Sequence, residues 1–206
     1  MTATLIEAAP HQVDECADVL ASAFEQDPIM VWFLEDAGPS YKDKARQVFF
    51  MAVDQRVRCG WPVIALENTN RILGVLHATP MFDDPWQDAY DTAFGSLMEE
   101  LGPEATQRLN RYADLATACR RDEPHWEIEC VGVLAEACGK GYGRMLMDRF
   151  HQFATRDTRA RGVCLDTENA VNVPFYESLG YRVTRTGNLD WVKLWFMYRE
   201  SPVSDE

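Results

Sequence analysis

Cys138-Gly139-Lys140-Gly141-Tyr142-Gly143-Arg144 is the stretch on which the reading of this chain turns. Before it, Trp126 to Leu134 predicts a strand. After it, Gly141 to Arg161 predicts an amphipathic helix, with Met145, Leu146, Phe150, Phe153 and Ala154 apolar. Glycines let a backbone approach a ligand closely, and unpaired N–H groups at a helix start favour an anion, so the turn is expected to bind phosphate. A P-loop is excluded, because Lys140 is followed by Gly141 and not by Ser or Thr. A dinucleotide fingerprint fits at Gly139 and Gly141 but fails at Arg144, where a third glycine should permit close helix–strand packing. Asp166 would be its ribose ligand. A G-x-G-x-G anion cradle fits Gly139, Gly141 and Gly143. Strand–helix turns rich in glycine also occur with no ligand.

Downstream, Val163 to Thr167 reads as a short buried strand and Val173 to Leu179 as a helix stopped by Gly180. Tyr181 to Thr186 and Trp191 to Tyr198 are two more strands around Gly187-Asn188. Upstream, Ala3 to Glu7 is a strand, and Val13, Ala17, Leu20, Ala21 and Phe24 recur at helical spacing up to Asp27-Pro28. Ile29 to Leu34 is a short apolar helix. Ser40 to Arg58 is a long one, with Ala45, Phe49, Ala52, Val53 and Arg56 along one line. Trp61 to Glu67 and Ile72 to Thr79 form a hairpin. Between Pro80 and Pro124, two helices (Asp88 to Leu101 and Pro103 to Arg120) read as an elaboration at about 81–124. The expected architecture is α/β (α+β): one domain over 1–206, with a mixed central sheet of about six or seven strands flanked by helices on both faces.

The 206 residues carry 20 Lys and Arg against 33 Asp and Glu, a net charge of −13. That sign argues against nucleic acid and against an anionic membrane surface as partners. No apolar run is long enough to span a membrane, and Met1-Thr2-Ala3-Thr4 lacks the pattern of a signal peptide. The six cysteines and four histidines show no metal-ligand spacing, so no metal is expected. The thiols read as reduced and mostly buried, in a cytoplasmic protein that is a monomer or homodimer.

A second motif joins the glycine turn. Leu165-Asp166-Thr167-Glu168-Asn169 is followed by Asn172-Val173-Pro174-Phe175-Tyr176-Glu177-Ser178-Leu179-Gly180-Tyr181. With Gly141 and Gly143 at the two small positions of the turn, these segments resemble the GNAT superfamily of acyl-CoA-dependent N-acetyltransferases. Cys138 departs from that pattern, where Gln or Arg is usual. His125-Trp126 and Asp27-Pro28 resemble the puromycin N-acetyltransferase-like small-molecule subgroup. The resemblance is strong over Pro124 to Arg182 and elsewhere rests on the order of elements.

It implies an enzyme that moves an acetyl group from acetyl-CoA to a small-molecule amine by direct attack in a ternary complex. Tyr176 would be the general acid toward the thiolate. Glu127, eleven positions before Cys138, would be the base, with Glu129 or water as alternatives. As residues two apart on a strand, Glu127 and Glu129 are expected to share a face with Val131 and Val133. The cofactor would lie on Val131, Gly132 and Val133, with the Val133 N–H as oxyanion donor. Cys138, Gly139, Lys140, Gly141, Tyr142, Gly143 and Arg144 would hold its pyrophosphate. Asn169 and Asn172 would cap the next helix or touch the CoA arm. Acceptor candidates are Asp27, Trp32, Phe33, Trp86, Tyr90, Tyr112 and Glu168, since carboxylates and aromatics suit an ammonium group. The alternatives are a non-catalytic acyl-CoA-binding or regulatory module and a peptide or protein N-acetyltransferase.

Overall fold

A computed structural model describes residues 3–82 and 88–201, with the side chains of 88–91 outside the description. The chain runs β1 (Thr4–Glu7), α1 (Val13–Ala23), α2 (Pro28–Phe33), α3 (Tyr41–Cys59), β2 (Val63–Asn68), β3 (Arg71–Pro80), α4 (Asp88–Leu101) and α5 (Pro103–Cys119). It continues with β4 (Trp126–Val133), α6 (Tyr142–Ala154), β5 (Gly162–Thr167), α7 (Val173–Glu177), β6 (Arg182–Leu189) and β7 (Val192–Glu200). The seven strands form one mixed sheet in the order β1-β2-β3-β4-β5-β7-β6, in which only β4 and β5 pair in parallel.

Local chemistry sets the helix ends that matter for the site. Asp27 caps α2 by accepting from the Ile29 N–H at 3.0 Å, and Pro28 fills the first helical position, where no N–H is needed. Pro103 begins α5 in the same way. Each helix buries its apolar stripe on one face of the sheet. Cys16, Ala17 and Leu20 of α1, Phe49 and Val53 of α3, and Ala105 and Ala116 of α5 form one core. Leu146, Met147 and Phe150 of α6 pack with Trp126 and Ile128 on the other face.

The central strand carries an irregularity that decides where its side chains point. Cys130 pairs with His77 and Ile128 with Ala78, so Glu129 is an extra residue on β4, a β-bulge. The bulge resets the alternation. Trp126 and Ile128 lie on the α6 face, and so does Val133, whose side chain flanks Gly74 together with Leu146. Gly132 faces α1, where an added Cβ would stand 2.9 Å from Ala23 Cβ. Glu127 and Glu129 therefore share the α1 face with Cys130 and Gly132, not with Val131 and Val133 as simple alternation predicts.

Two other expectations change. The β6–β7 hairpin turns at Asp190-Trp191, between the paired Leu189 and Val192, and not at Gly187-Asn188. Gly187 instead lies inside β6, close under Leu115. All six cysteines are free thiols, but only Cys16 is fully buried and Cys138 is exposed. Among the described residues no helix is long and apolar enough to cross a membrane.

Candidate active site

The site begins where the sheet opens. The β4–β5 ladder has three pairs, Trp126–Val163, Glu127–Cys164 and Ile128–Leu165, and then stops. Beyond it β4 pairs only with β3. The Leu134 N–H donates to the Leu73 carbonyl at 2.9 Å. Strand alternation then turns the N–H groups of Val131 and Val133 toward the open edge. The strands splay around a cavity of about 100 Å³, walled by Ile128 to Val131 of β4 and by Leu165 to Glu168 at the end of β5. Tyr176 of α7 closes one side, Tyr112 of α5 another, and Asp27 with Ile29 and Met30 a third.

The glycine turn lies just beyond the open edge. Gly139 (φ 77°) and Gly141 (φ 79°) are both left-handed, and Gly141 is the N-cap of α6. An added Cβ at either would meet nothing within 4 Å, so these glycines serve the backbone shape and not close packing. The first turn of α6 holds no acidic residue. Its leading N–H groups have no intrahelical acceptor, which suits an anion. Lys140 and Arg144 are exposed beside it. Lys140 Nζ donates to the Glu136 carbonyl at 3.1 Å, and Arg144 Nη2 to Ser178 Oγ at 2.6 Å. The Cys138 thiol donates to the Val133 carbonyl at 3.7 Å, tying the turn to the strand. A phosphate-bearing cofactor thus fits these residues.

Five carboxyl groups gather on the α1 face near the cavity, in different states. Burial pushes the Glu127 carboxyl up to about 7, against the opposing pull of Arg120, whose Nε donates to Glu127 Oε2 at 3.1 Å. Glu129 has the reverse outcome. Burial raises it, but the Arg56 guanidinium, paired with its Oε2, brings it down to about 2. Thr79 Oγ1 donates to Glu129 Oε1 at 2.5 Å. Asp27 is pushed up to about 6 by burial, against two backbone N–H groups. Asp166 accepts from the Tyr112 hydroxyl at 3.0 Å, and burial raises both it and Glu168, which are hydrogen-bonded to each other. Tyr176 is 7% exposed, and burial, then the charges of Glu168 and Asp166, push its phenol well above the ordinary value. Among the described residues, no group of three His, Cys, Asp or Glu is arranged to hold a metal ion.

Residues 105–183 match the family model of the acetyltransferase (GNAT) domain. That stretch is similar to a GNAT acetyltransferase domain. The fold of the chain is shared with solved acetyltransferases of low identity. One is described as histone acetyltransferase HPA2 and related acetyltransferase from Corynebacterium glutamicum (18% identity, TM-score 0.71, all of both chains covered). Another is the polyamine N-acetyltransferase of Drosophila melanogaster (16% identity, TM-score 0.70, 97% of this chain and 100% of that one), which forms N-acetylagmatine. A third is yncA of Salmonella typhimurium, solved with its cofactor acetyl-CoA (19% identity, TM-score 0.58, 97% and 94% covered). No curated protein sequence matches this chain.

The matched region contains the open edge, the glycine turn and Tyr176, while Asp27, Arg56 and Thr79 reach the site from outside it. The structure brings Glu129, Val131, Asn172, Tyr176, Asp27, Tyr112 and Glu168 together on the cavity. Glu127 sits next along β4, 15% exposed. Asn169 caps the turn after β5, accepting from the Val171 N–H at 3.2 Å, and Asn172 Nδ2 donates to Thr167 Oγ1 at 3.5 Å. Trp32 does not reach the cavity: it is 1% exposed, and its indole N–H donates to Asp190 at 2.8 Å. Phe33 is likewise core. Trp86 lies outside the described residues, as does the side chain of Tyr90. Sequence reasoning missed Arg56, Thr79 and the place of Asp166 on the cavity. Arg56 had left a signal, an arginine on the otherwise apolar line of α3.

Proposed function

We propose that this protein is an N-acetyltransferase that moves the acetyl group of acetyl-CoA to the amine of a small molecule by direct attack in a ternary complex. One observation carries the reading. The β4–β5 ladder ends at Ile128–Leu165, opening a slot with a glycine cradle at its mouth and Tyr176 with ionisable carboxyls at its floor.

Bound acetyl-CoA supplies the activated acyl thioester. Gly139 to Arg144 hold its pyrophosphate through backbone N–H groups, with Lys140 and Arg144 adding charge at the rim. The free edge of Val131 to Val133 would take the pantetheine as an added strand would, and the Val133 N–H on that edge would serve as the oxyanion donor. Glu127, with a proton affinity near neutrality, takes a proton from the amine through water. Glu129, held ionised by Arg56, fixes the floor instead of accepting protons. Tyr176 keeps its proton at neutral pH. Burial and the neighbouring carboxyls raise its phenol well above an ordinary thiol, so full proton transfer to the sulfur is uphill. Tyr176 therefore serves the leaving sulfur by donating a hydrogen bond.

Calorimetric titration with acetyl-CoA tests the cradle, and loss of thioester absorbance with a panel of amines tests the transfer. That readout avoids a thiol reagent, which the exposed Cys138 would consume. Saturable acetyl-CoA binding and amine-dependent thioester loss are expected. Absence of binding refutes the reading; binding without turnover on any amine favours an acyl-CoA-binding module.

A further inference from the structure

The cavity holds more negative charge than the reaction explains. Glu127 and Glu129 have cationic partners in Arg120 and Arg56. Asp27, Asp166 and Glu168 do not: among the described residues no Lys, Arg or His lines the cavity. Their contacts are neutral, an Ile29 N–H to Asp27, the Tyr112 hydroxyl to Asp166, and a hydrogen bond between Glu168 and Asp166. Carboxylates out of water without a counter-charge are costly, and they relieve the cost by keeping protons or by meeting a cation. A second observation points to a ligand here. Tyr176, 7% exposed, lines the same cavity close enough to feel Glu168, Asp166 and Asp27, and its hydroxyl has no hydrogen-bond partner among the described residues.

The attacking amine cannot itself satisfy the three acids. It reacts only after losing its proton, so at the moment of attack it is neutral. A cation that stays charged throughout must be another group on the acceptor. The room is narrow: about 100 Å³, against roughly 300–1,000 Å³ for drug-sized sites, and Phe24, Phe49 and Met30 border it. Apolar walls beside an anionic floor suit methylenes ending in a cation.

We propose that the acceptor is an unbranched diamine or polyamine, whose second ammonium is seated by Asp27, Asp166 and Glu168 while its terminal amine faces the thioester beside Cys130 and Tyr176. This rests on the acetyl-transfer reading above. The N–C bond forms at the thioester carbonyl, and the C–S bond breaks with its electron pair on sulfur. Of the two protons the reacting ammonium loses, one passes through water to Glu127 and then solvent, and one ends on the leaving thiol. The second ammonium keeps its protons.

The test compares 1,3-diaminopropane, 1,4-diaminobutane and 1,5-diaminopentane with propylamine, butylamine and pentylamine, by acetyl-CoA consumption. At least one diamine is expected to exceed its monoamine in kcat/KM by roughly thirtyfold or more, the factor for removing one partner of an enclosed charge pair. In Glu168→Gln and Asp27→Asn, checked for unchanged thermal unfolding, that ratio should fall toward one through a higher diamine KM. Equal kcat/KM for diamines and monoamines overturns the inference and leaves the transfer reading standing. So does a ratio unchanged in both variants. Calorimetry of 1,4-diaminobutane with the CoA-loaded protein separates the remaining case. Binding that Glu168→Gln weakens, without turnover, supports the acid seat while refuting transfer; neither binding nor turnover refutes both.

Discussion

Replacing Glu127 by Gln should stabilise the protein at alkaline pH while disabling it. The carboxyl is 15% exposed, and its folded value of about 7 stands above the ordinary 4.5. A raised carboxyl binds its proton more tightly in the folded state. Its favourable contribution is complete below about 4.5, fades as pH rises through 7, and leaves the ionised group a burden above that. The 2.5-unit difference corresponds to about 3 kcal/mol at pH 8, with the attraction of Arg120 already included in the net shift. Glutamine keeps the shape, still accepts from Arg120 and has no charge to bury. Urea unfolding at pH 5, 6, 7 and 8 and constant ionic strength measures the difference between the two proteins. They should be similar at pH 5, with the variant ahead by about 2–4 kcal/mol at pH 8. Asp27, raised to about 6, titrates in the same window but is common to both proteins and drops out of the difference. Acetyl transfer by the variant should fall by about 10²–10⁴-fold, and the rise of wild-type kcat/KM through pH 7 should disappear. A variant less stable than wild type at pH 8, or a stability difference flat with pH, would refute the claim that Glu127 is held out of water near neutrality.

Tyr176→Phe should lower kcat about tenfold to a hundredfold, the loss of one hydrogen bond to a charged sulfur, without changing acetyl-CoA affinity by calorimetry. Unchanged kcat would remove Tyr176 from the leaving-group role. Gly141→Asp puts an anionic side chain at φ 79° on the N-cap of α6, so acetyl-CoA affinity should drop by an order of magnitude or more, and Gly141→Ala should lose less. Full affinity in Gly141→Asp would place the phosphate site elsewhere. Arg56→Met strips Glu129 of its counter-charge and should cost about 2 kcal/mol in urea unfolding, a figure reduced because a third of the Glu129 side chain meets solvent. Glu129 is depressed to about 2, so wild type holds this contribution above about 4.5 and loses it as pH falls toward 2. That part of the acid profile should flatten in the variant; an identical profile would dismiss the pair.

The elements that show through the sequence are those with local causes. Pro28 and Pro103 start helices, Gly139 and Gly141 shape the turn, and the apolar spacing of α6 repeats over three turns, so strands, helices and the glycine turn are readable within a few residues. The bulge is not. Nothing in Glu127-Ile128-Glu129-Cys130 marks an extra residue, because the irregularity is imposed by the register of β3 against β4, a tertiary fact. One unmarked residue reverses the facing of everything after it. The hairpin turn is hidden for a related reason: Gly187-Asn188 has turn chemistry, yet Gly187 answers to Leu115, and Asp190 adopts the positive φ. A six-residue helix is too short to show which side it buries, so the sequence alone does not reveal that Trp32 is core. Asp166 carried a real signal, an acid at the end of a buried strand, but its partners Tyr112 and Glu168 come from α5 and the loop after β5, so its environment was invisible until the chain was folded.

Bulge and splay together reconcile two demands that oppose each other. A chain of net charge −13 repels an anionic nucleotide at long range, and an acidic floor beside the thioester adds to the repulsion. The cradle escapes this because its attraction is local: backbone N–H groups at the start of α6, with Lys140 and Arg144 at the rim. From Glu129 to Val133 the strand alone advances about 13 Å, which sets the solvent-exposed mouth apart from the enclosed floor. In the proposed complex the phosphates would stay at that mouth, and the uncharged pantetheine and thioester would be the parts of the cofactor that approach the floor. The bulge completes the separation. The acids of β4 alternate with Trp126 and Ile128 and so stand on the α1 face, where Asp27 and Asp166 also stand, and the extra residue at Glu129 resets the alternation beyond it, which returns Val131 and Val133 to the α6 face. One strand can then present backbone to a cofactor on its open edge and carboxyl groups to an amine on one face, because its two halves are out of phase by one residue.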